Sequence, residues 1–264
     1  MIMTVYKKEM KNSFKSLVIW TCSIAFMMMA CIIMFPEMKN EMDSVSNIFA
    51  NMGGFTAAFG MDRLSFGELM GFYGIECGNI IGIGGGFFAA LAGVSSLAGE
   101  EKDHTAEFLL THPVSRASVA AQKLAAVLSQ ILILNVFSAA VSTASAAAIG
   151  ESLQMREFML LHAAYIIMQA EIACICFGVS AFIRRGSIGI GLGIALLLYF
   201  INLVCNISSQ ADFLRYITPY AYSEASNIIS ESALDVKLII IGAVYAVAGT
   251  VSAFIKYTHK DIAS

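Results

Sequence analysis

An all-α polytopic membrane protein with six transmembrane helices is what this sequence predicts, and three observations carry the prediction. Runs of about 18 or more apolar residues recur along the chain, long enough to cross a bilayer. Only 13% of the 264 residues are charged while 58% are hydrophobic, against about 25% charged in an average soluble domain. The lysines and arginines are also shared unevenly among the segments that join the apolar runs. The net charge of -3 is small, and no basic stripe with interleaved aromatics occurs, so nucleic acid is set aside as a partner.

Residues 1–16 form a basic amphipathic segment. Ile2, Tyr6, Met10, Phe14 and Leu17 recur at helical spacing, with Lys7, Lys8, Lys11 and Lys15 on the other faces. Such a segment is expected to lie as a helix in the interface of an anionic leaflet, in contact with lipid; its lysines also orient the first span. The first apolar run, Leu17 to Phe35, is too long for a signal-peptide core and leads into Pro36-Glu37 without a small-residue cleavage pattern, so it is read as a retained anchor.

The six spans are placed at about 17–36, 72–98, 124–149, 158–182, 187–205 and 238–256, in one transmembrane domain covering 1–264. With the N-terminus inside, the cytoplasmic segments hold eleven of the sixteen basic residues, among them Lys102, Arg116, Lys123, Arg184 and Arg185. Lys39, Arg63, Arg156, Arg215 and Lys237 fall outside. Both termini, and the stretch 99–123, are therefore expected in the cytoplasm of a multi-pass plasma (inner) membrane protein. The outer connection 37–71 reads as one or two short interfacial helices. In the connection 206–237, Tyr216, Tyr220 and Tyr222 suit an interfacial aromatic belt.

Within the spans, small and polar residues mark the protein-facing surfaces. Gly74, Gly78, Gly82 and Gly86 recur four apart in the second span, and Gly189 and Gly193 repeat the spacing in the fifth. Such a face lets another helix approach closely, either inside one subunit or at a subunit or gating interface. Asn135, Ser138, Ser142 and Ser145 form a polar stripe on the third span, which needs protein or water partners in hydrocarbon. Either interhelix hydrogen bonding or a pathway lining accounts for it. Glu171 sits near the middle of the fourth span, where an ionised carboxylate is costly unless protonated, paired or facing a water-filled cavity. A substrate or proton site and a structural hydrogen bond both remain open. His162, Tyr165 and Gln169 lie on another face and read as packing.

Several chemistries are absent from the sequence. No GxxxxGK[ST], no Gly-Lys pair, no HExxH and no G-x-S-x-G occurs, and the IGIGGG run lies inside a span. Glu100-Glu101 would serve an intramembrane metalloprotease only with histidines on neighbouring spans, and only His162 lies in one. The six cysteines fall almost entirely in apolar runs without a CxxC pair, so they read as packing residues; no metal site is assigned.

The most polar run in the middle of the chain is Gly99 to Lys123, GEEKDHTAEFLLTHPVSRASVAAQK, and at its centre lies the apolar knot Phe108-Leu109-Leu110. Exposed, that knot calls for a cover of lipid or protein. The stretch Ala92 to Lys123 resembles the junction between the second and third spans of type-two ABC exporter permeases. Gly99-Glu100-Glu101, Thr105, Glu107-Phe108-Leu109-Leu110, Pro113-Val114-Ser115-Arg116 and Lys123 match, while His104 stands where glycine is usual. Arg184-Arg185 at the fifth span and Thr218-Pro219-Tyr220 before the last extend the resemblance to nearly the whole chain.

The resemblance implies a permease, itself no enzyme and with no cofactor of its own. Two permease subunits, identical or different, pair with two cytoplasmic ABC ATPase subunits that bind ATP and Mg2+. The segment from Glu101 to His112 would be the coupling helix, with Glu100, Glu101, Thr105, Glu107, Phe108, Leu109, Leu110, His112, Pro113 and Arg116 docking the ATPase. The path would run between permeases, with Glu171, Asn135, Ser138, Ser142, Gly82, Gly86, Gly189 and Gly193 as candidate lining and an amphipathic or hydrophobic substrate such as a drug or peptide antibiotic. The alternative is a self-contained channel, proton-coupled carrier or intramembrane enzyme centred on Glu171.

Overall fold

Long apolar runs form helices that satisfy their own backbone hydrogen bonds, and six helices among the described residues are long and apolar enough to cross a membrane. The computed structural model describes residues 4–40, 53–61, 63–102, 115–183 and 188–259. The spanning helices are α1 (Thr4–Asn40), α3 (from Leu69), α4 (Arg116–Ala148), α5 (Met155–Ser180), α6 (Ile188–Ile207) and α8 (Val236–His259). The short α2 (Gly54–Ala58) precedes α3, and α7 (Ala225–Glu231) precedes α8. Helix α3 begins as Leu69–Phe72, passes through a π-helical turn over Tyr73–Cys77, and continues as Gly78–Lys102. Among the described residues no strand occurs.

Consecutive spans run antiparallel, so one end of the bundle carries the start of α1, the end of α3 and the start of α4. We call it the basic end, because Lys7, Lys8, Lys11 and Lys15 are exposed there. Helices α3 and α5 form the buried centre; α1 and α4 pair along their whole length on one side, while α6 packs on α3 and α8 on α5. A continuous apolar core runs through the centre, with Phe35, Phe72, Tyr73, Phe158 and Ile131 almost wholly buried. A second, smaller cluster at the basic end joins Val5, Leu97, Val119, Phe177 and Tyr257. The outward faces of α1, α6 and α8 remain apolar, with Phe26, Leu197 and Val244 more than half exposed, as lipid contact requires.

Two elements differ from what the sequence suggests. Residues 4–16 are not a separate interfacial helix but the first part of α1, whose 37 residues span about 55 Å at 1.5 Å per residue. The partner that makes this possible is the equally extended start of α4. Gln122 Oε1 accepts from the backbone N–H groups of Val5 and Tyr6, both at 3.2 Å, and Lys123 Nζ pairs with Glu9 at 2.8 Å. These contacts take up helix-start donors that would otherwise have no partner inside the helix.

The second difference lies in the connection after α6. It folds back into the bundle, so that Tyr220 and Tyr222 are 4% and 3% exposed while Tyr216 stays on the surface. Thr218 and Pro219 set that course. The Thr218 hydroxyl donates to the Leu198 carbonyl at 2.7 Å and accepts from Tyr220 N at 3.3 Å, and proline opens the following turn. Of the three tyrosines expected to form an interfacial belt, Tyr220 and Tyr222 instead pack inside the bundle and Tyr216 alone is exposed.

Candidate functional site

The segment expected to dock a partner is flanked by described residues at both ends. Helix α3 ends at Lys102, and α4 begins at Arg116 with Ser115 as N-cap, its hydroxyl accepting from Ser118 N at 3.2 Å. Both anchors belong to the basic end. Glu100 and Glu101 lie in the last turn of α3; their side chains, and Thr105, Glu107, Phe108, Leu109, Leu110, His112 and Pro113, lie outside the described residues. Arg116 is half-buried in the first turn of α4.

The polar stripe of α4 faces α3 and α5. Asn135 Nδ2 donates to Gln169 Oε1 at 2.6 Å and to the Ile131 carbonyl at 2.9 Å, and Gln169 Nε2 donates to the Ile81 carbonyl at 3.2 Å. Ser142 Oγ donates to the Ser138 carbonyl at 2.9 Å and accepts from Tyr73 OH at 3.3 Å; Tyr73 OH also lies 2.8 Å from His162 Nε2. Ser138 Oγ and Asn135 Oδ1 are buried with no protein hydrogen-bond partner among the described residues. Gln169 and His162, which sequence spacing marks only as packing, are thus the residues that tie three helices together.

Glu171 is 3% exposed and accepts a hydrogen bond from Tyr222 OH at 2.7 Å. Opposite stands Gly242 of α8, where a Cβ would collide with the Glu171 carboxylate. Two turns nearer the basic end α5 and α8 touch backbone to backbone, since a Cβ on Gly178 would lie 2.8 Å from the Gly249 carbonyl. The buried carboxylate is therefore enclosed by one hydroxyl and one glycine within this subunit.

The glycine row of α3 receives tyrosines. A Cβ on Gly78 would meet Tyr165 OH at 2.6 Å, one on Gly82 the Tyr165 ring at 3.5 Å, and one on Gly86 would overlap Tyr220 OH. In the fifth span the close approach belongs to Gly191, where a Cβ would lie 2.8 Å from Val94 Cγ1. Gly189 and Gly193 are exposed, with open space beside Gly193. Glycine spacing shows where room is made, but not whether a helix or a distant side chain enters it.

A cavity of about 370 Å³ opens at the basic end between α1, α3 and α4. Its polar wall includes Ser13, Ser16 and Gln130, and its apolar wall Phe88, Leu91 and Val127. Such a volume, with mixed lining, falls in the range that accommodates small-molecule ligands. Among the described residues no three of His, Cys, Asp and Glu converge as a metal site would need.

Six packed helices, each long and apolar enough to cross a membrane, define a multi-pass integral membrane protein. The sequence profile of the ABC-2 family transporter proteins matches residues 3–262, so the chain belongs to that family. It is a multi-pass membrane component of ABC transport, not itself an enzyme. No curated protein matches the chain.

Proposed function

We propose that this chain is the membrane subunit of an ATP-driven exporter that moves an amphipathic or hydrophobic substrate out of the cytoplasm. The family match over residues 3–262 is the observation that carries this reading. A separate cytoplasmic ABC ATPase binds ATP and Mg2+, and the segment around Phe108-Leu109-Leu110 docks it. The anchors of that segment support the role, because α3 and α4 would receive any displacement of the docked partner directly. Both termini then lie in the cytoplasm of the plasma membrane, as the excess of lysine and arginine on that side favours.

A second permease subunit completes the transporter. The exposed Gly189 and Gly193 on α6 support placing it there, since small residues allow close helix approach in lipid. The path then runs along that face. Asn135, Ser142 and Glu171 hold the subunit together from inside, and Gly82 and Gly86 make room for tyrosines. The mixed lining of the basic-end cavity supports an amphipathic substrate, with apolar body against Phe88 and Leu91 and polar head toward Ser13 and Ser16.

Reconstitution into proteoliposomes with the co-purifying ATPase tests the reading. ATP-dependent transport of an amphipathic dye is expected, and none from this chain alone. Dye or proton flux by the chain without any ATPase, lost in Glu171→Gln, would instead establish a self-contained carrier.

A further inference from the structure

At the end opposite the basic one, a small chamber lies between α3, α5, α6 and the turn that folds back after α6. Its volume is about 30 Å³, and Asn79, Tyr199, Asn202, Tyr220, Ser223 and Glu224 are among its lining residues. Three buried polar atoms on this lining have no protein hydrogen-bond partner among the described residues: Tyr199 OH, Tyr220 OH and Asn202 Oδ1. Asn202 and Tyr220 are each only 4% exposed. Buried polar atoms are normally satisfied, so three on one wall call for an occupant.

The carboxylate beside them sharpens the demand. Asn202 Nδ2 and Asn206 Nδ2 both donate to Glu224 Oε2 at 3.0 Å, while no described residue donates to Oε1. Because a carboxylate oxygen accepts, the Asn202 amide must turn its NH2 toward Glu224, which leaves its carbonyl oxygen as the free end. Nor does Glu224 form an ion pair among the described residues. The two guanidinium groups that influence it, Arg63 and Arg215, are held elsewhere, by Asn227 Oδ1 at 2.9 Å and Asp212 at 3.3 Å. Asn79 spends its NH2 on the Ile75 carbonyl at 2.7 Å, so its oxygen is also available to the chamber. Tyr220 OH, set against Gly86, closes the inner end.

We propose that this chamber binds one small monovalent cation, sodium or potassium, through the oxygens of Glu224, Asn202, Asn79 and Tyr199. The lining offers lone pairs and a single negative charge, which is the donor set of a hard cation. One carboxylate matches a single positive charge, whereas calcium usually gathers several carboxylates and magnesium keeps a shell of waters. The chamber has room for about two waters at the roughly 10–15 Å³ each requires, and a bare alkali cation needs no more than one of those places. A half-buried carboxylate with no ion-pair partner among the described residues is stabilised by such an ion.

Thermal unfolding of the protein in lipid nanodiscs tests the site, in choline, sodium and potassium chloride at matched ionic strength. Sodium or potassium is expected to raise the midpoint by about 3 °C or more, saturating with concentration. Glu224→Gln and Asn202→Ala should remove that rise. Should either variant fail to fold, Tyr199→Phe keeps the ring against Tyr220 and loses only the hydroxyl. It should raise the half-saturating cation concentration about tenfold. Equal midpoints in the three salts would mean that water alone fills the chamber, and would overturn the proposal, as would an unchanged cation response in Glu224→Gln. No ATPase enters the measurement, so its outcome is independent of the transport reading.

Discussion

Two ion pairs clamp α1 against the α4 hairpin, one at each end, and by distance they are identical. Lys123 Nζ to Glu9 and Lys39 Nζ to Glu151 both measure 2.8 Å. Their surroundings are not alike. Lys123 is 2% exposed and also donates to the Ser96 carbonyl at 2.9 Å, whereas the side chains of Lys39 and Glu151 are 46% and 32% exposed. An ion pair open to water contributes little, because solvent and salt compete for both charges. Breaking a pair with one end desolvated costs more: Lys123 is buried, while Glu9, 21% exposed, keeps only part of its contact with water. Distance alone therefore misleads, and the basic end is the end where α1, α3 and α4 are locked together.

Under the proposed docking of a cytoplasmic ATPase, the lock sits where stiffness is needed. Lys123 belongs to α4, Ser96 to α3 and Glu9 to α1, so one side chain joins the two helices that flank residues 103–114 to a third. The small core of Val5, Leu97, Val119, Phe177 and Tyr257 surrounds this junction. A displacement applied between Lys102 and Arg116 would move these helices together.

Substitutions break this comparison in a definite order. Lys123→Met should have the largest effect, lowering stability by about 2 kcal/mol, since it leaves the partly buried Glu9 carboxylate without its partner. The exchange Lys123→Glu with Glu9→Lys should recover part of that loss. Gln122→Ala follows at about 1 kcal/mol, because Val5 N and Tyr6 N lose a cap. Lys39→Met should cost less than about 0.5 kcal/mol. Unfolding of the purified variants measures all three. Raising salt from about 0.05 to about 0.5 M should erase what effect Lys39→Met has and leave that of Lys123→Met in place. Equal losses at the two ends would refute the contrast.

Parts of this were legible in the sequence because they follow from one-dimensional pattern. The run Leu17 to Phe35 had to be helical and lipid-compatible, and the stripe Asn135-Ser138-Ser142 had to face protein or water. What closes the stripe was not legible, since Gln169 and Tyr73 reach it only once α5 and α3 are packed. The glycine row of α3 announced a close approach, yet what enters it, Ile229 at Gly74, Tyr165 at Gly78 and Gly82 and Tyr220 at Gly86, comes from other helices and a distant turn. Tyr220 and Tyr222 in a polar connection carry the same local signature as tyrosines at a membrane surface; Thr218-Pro219 directs them inward through a bond to Leu198 that no local rule supplies. Likewise, lysines at 7, 8, 11 and 15 fit an interfacial helix or a helix extended on a partner equally well, and only Gln122 and Lys123 decide between them. Asn202 and Glu224, 22 residues apart, give no linear sign of sharing a chamber.

The claim that the chain is driven by a separate ATPase gripping Phe108-Leu109-Leu110 has a direct test. The tagged wild type and the Phe108→Asp/Leu109→Asp variant are purified from the native membrane, and the amount of ABC ATPase recovered with each is compared. A stoichiometric ATPase with the wild type, and its loss with a variant that is still inserted and folded, is the predicted result. Recovery of the ATPase in normal amount with the variant would contradict the docking role, and its absence from the wild type would contradict the exporter itself.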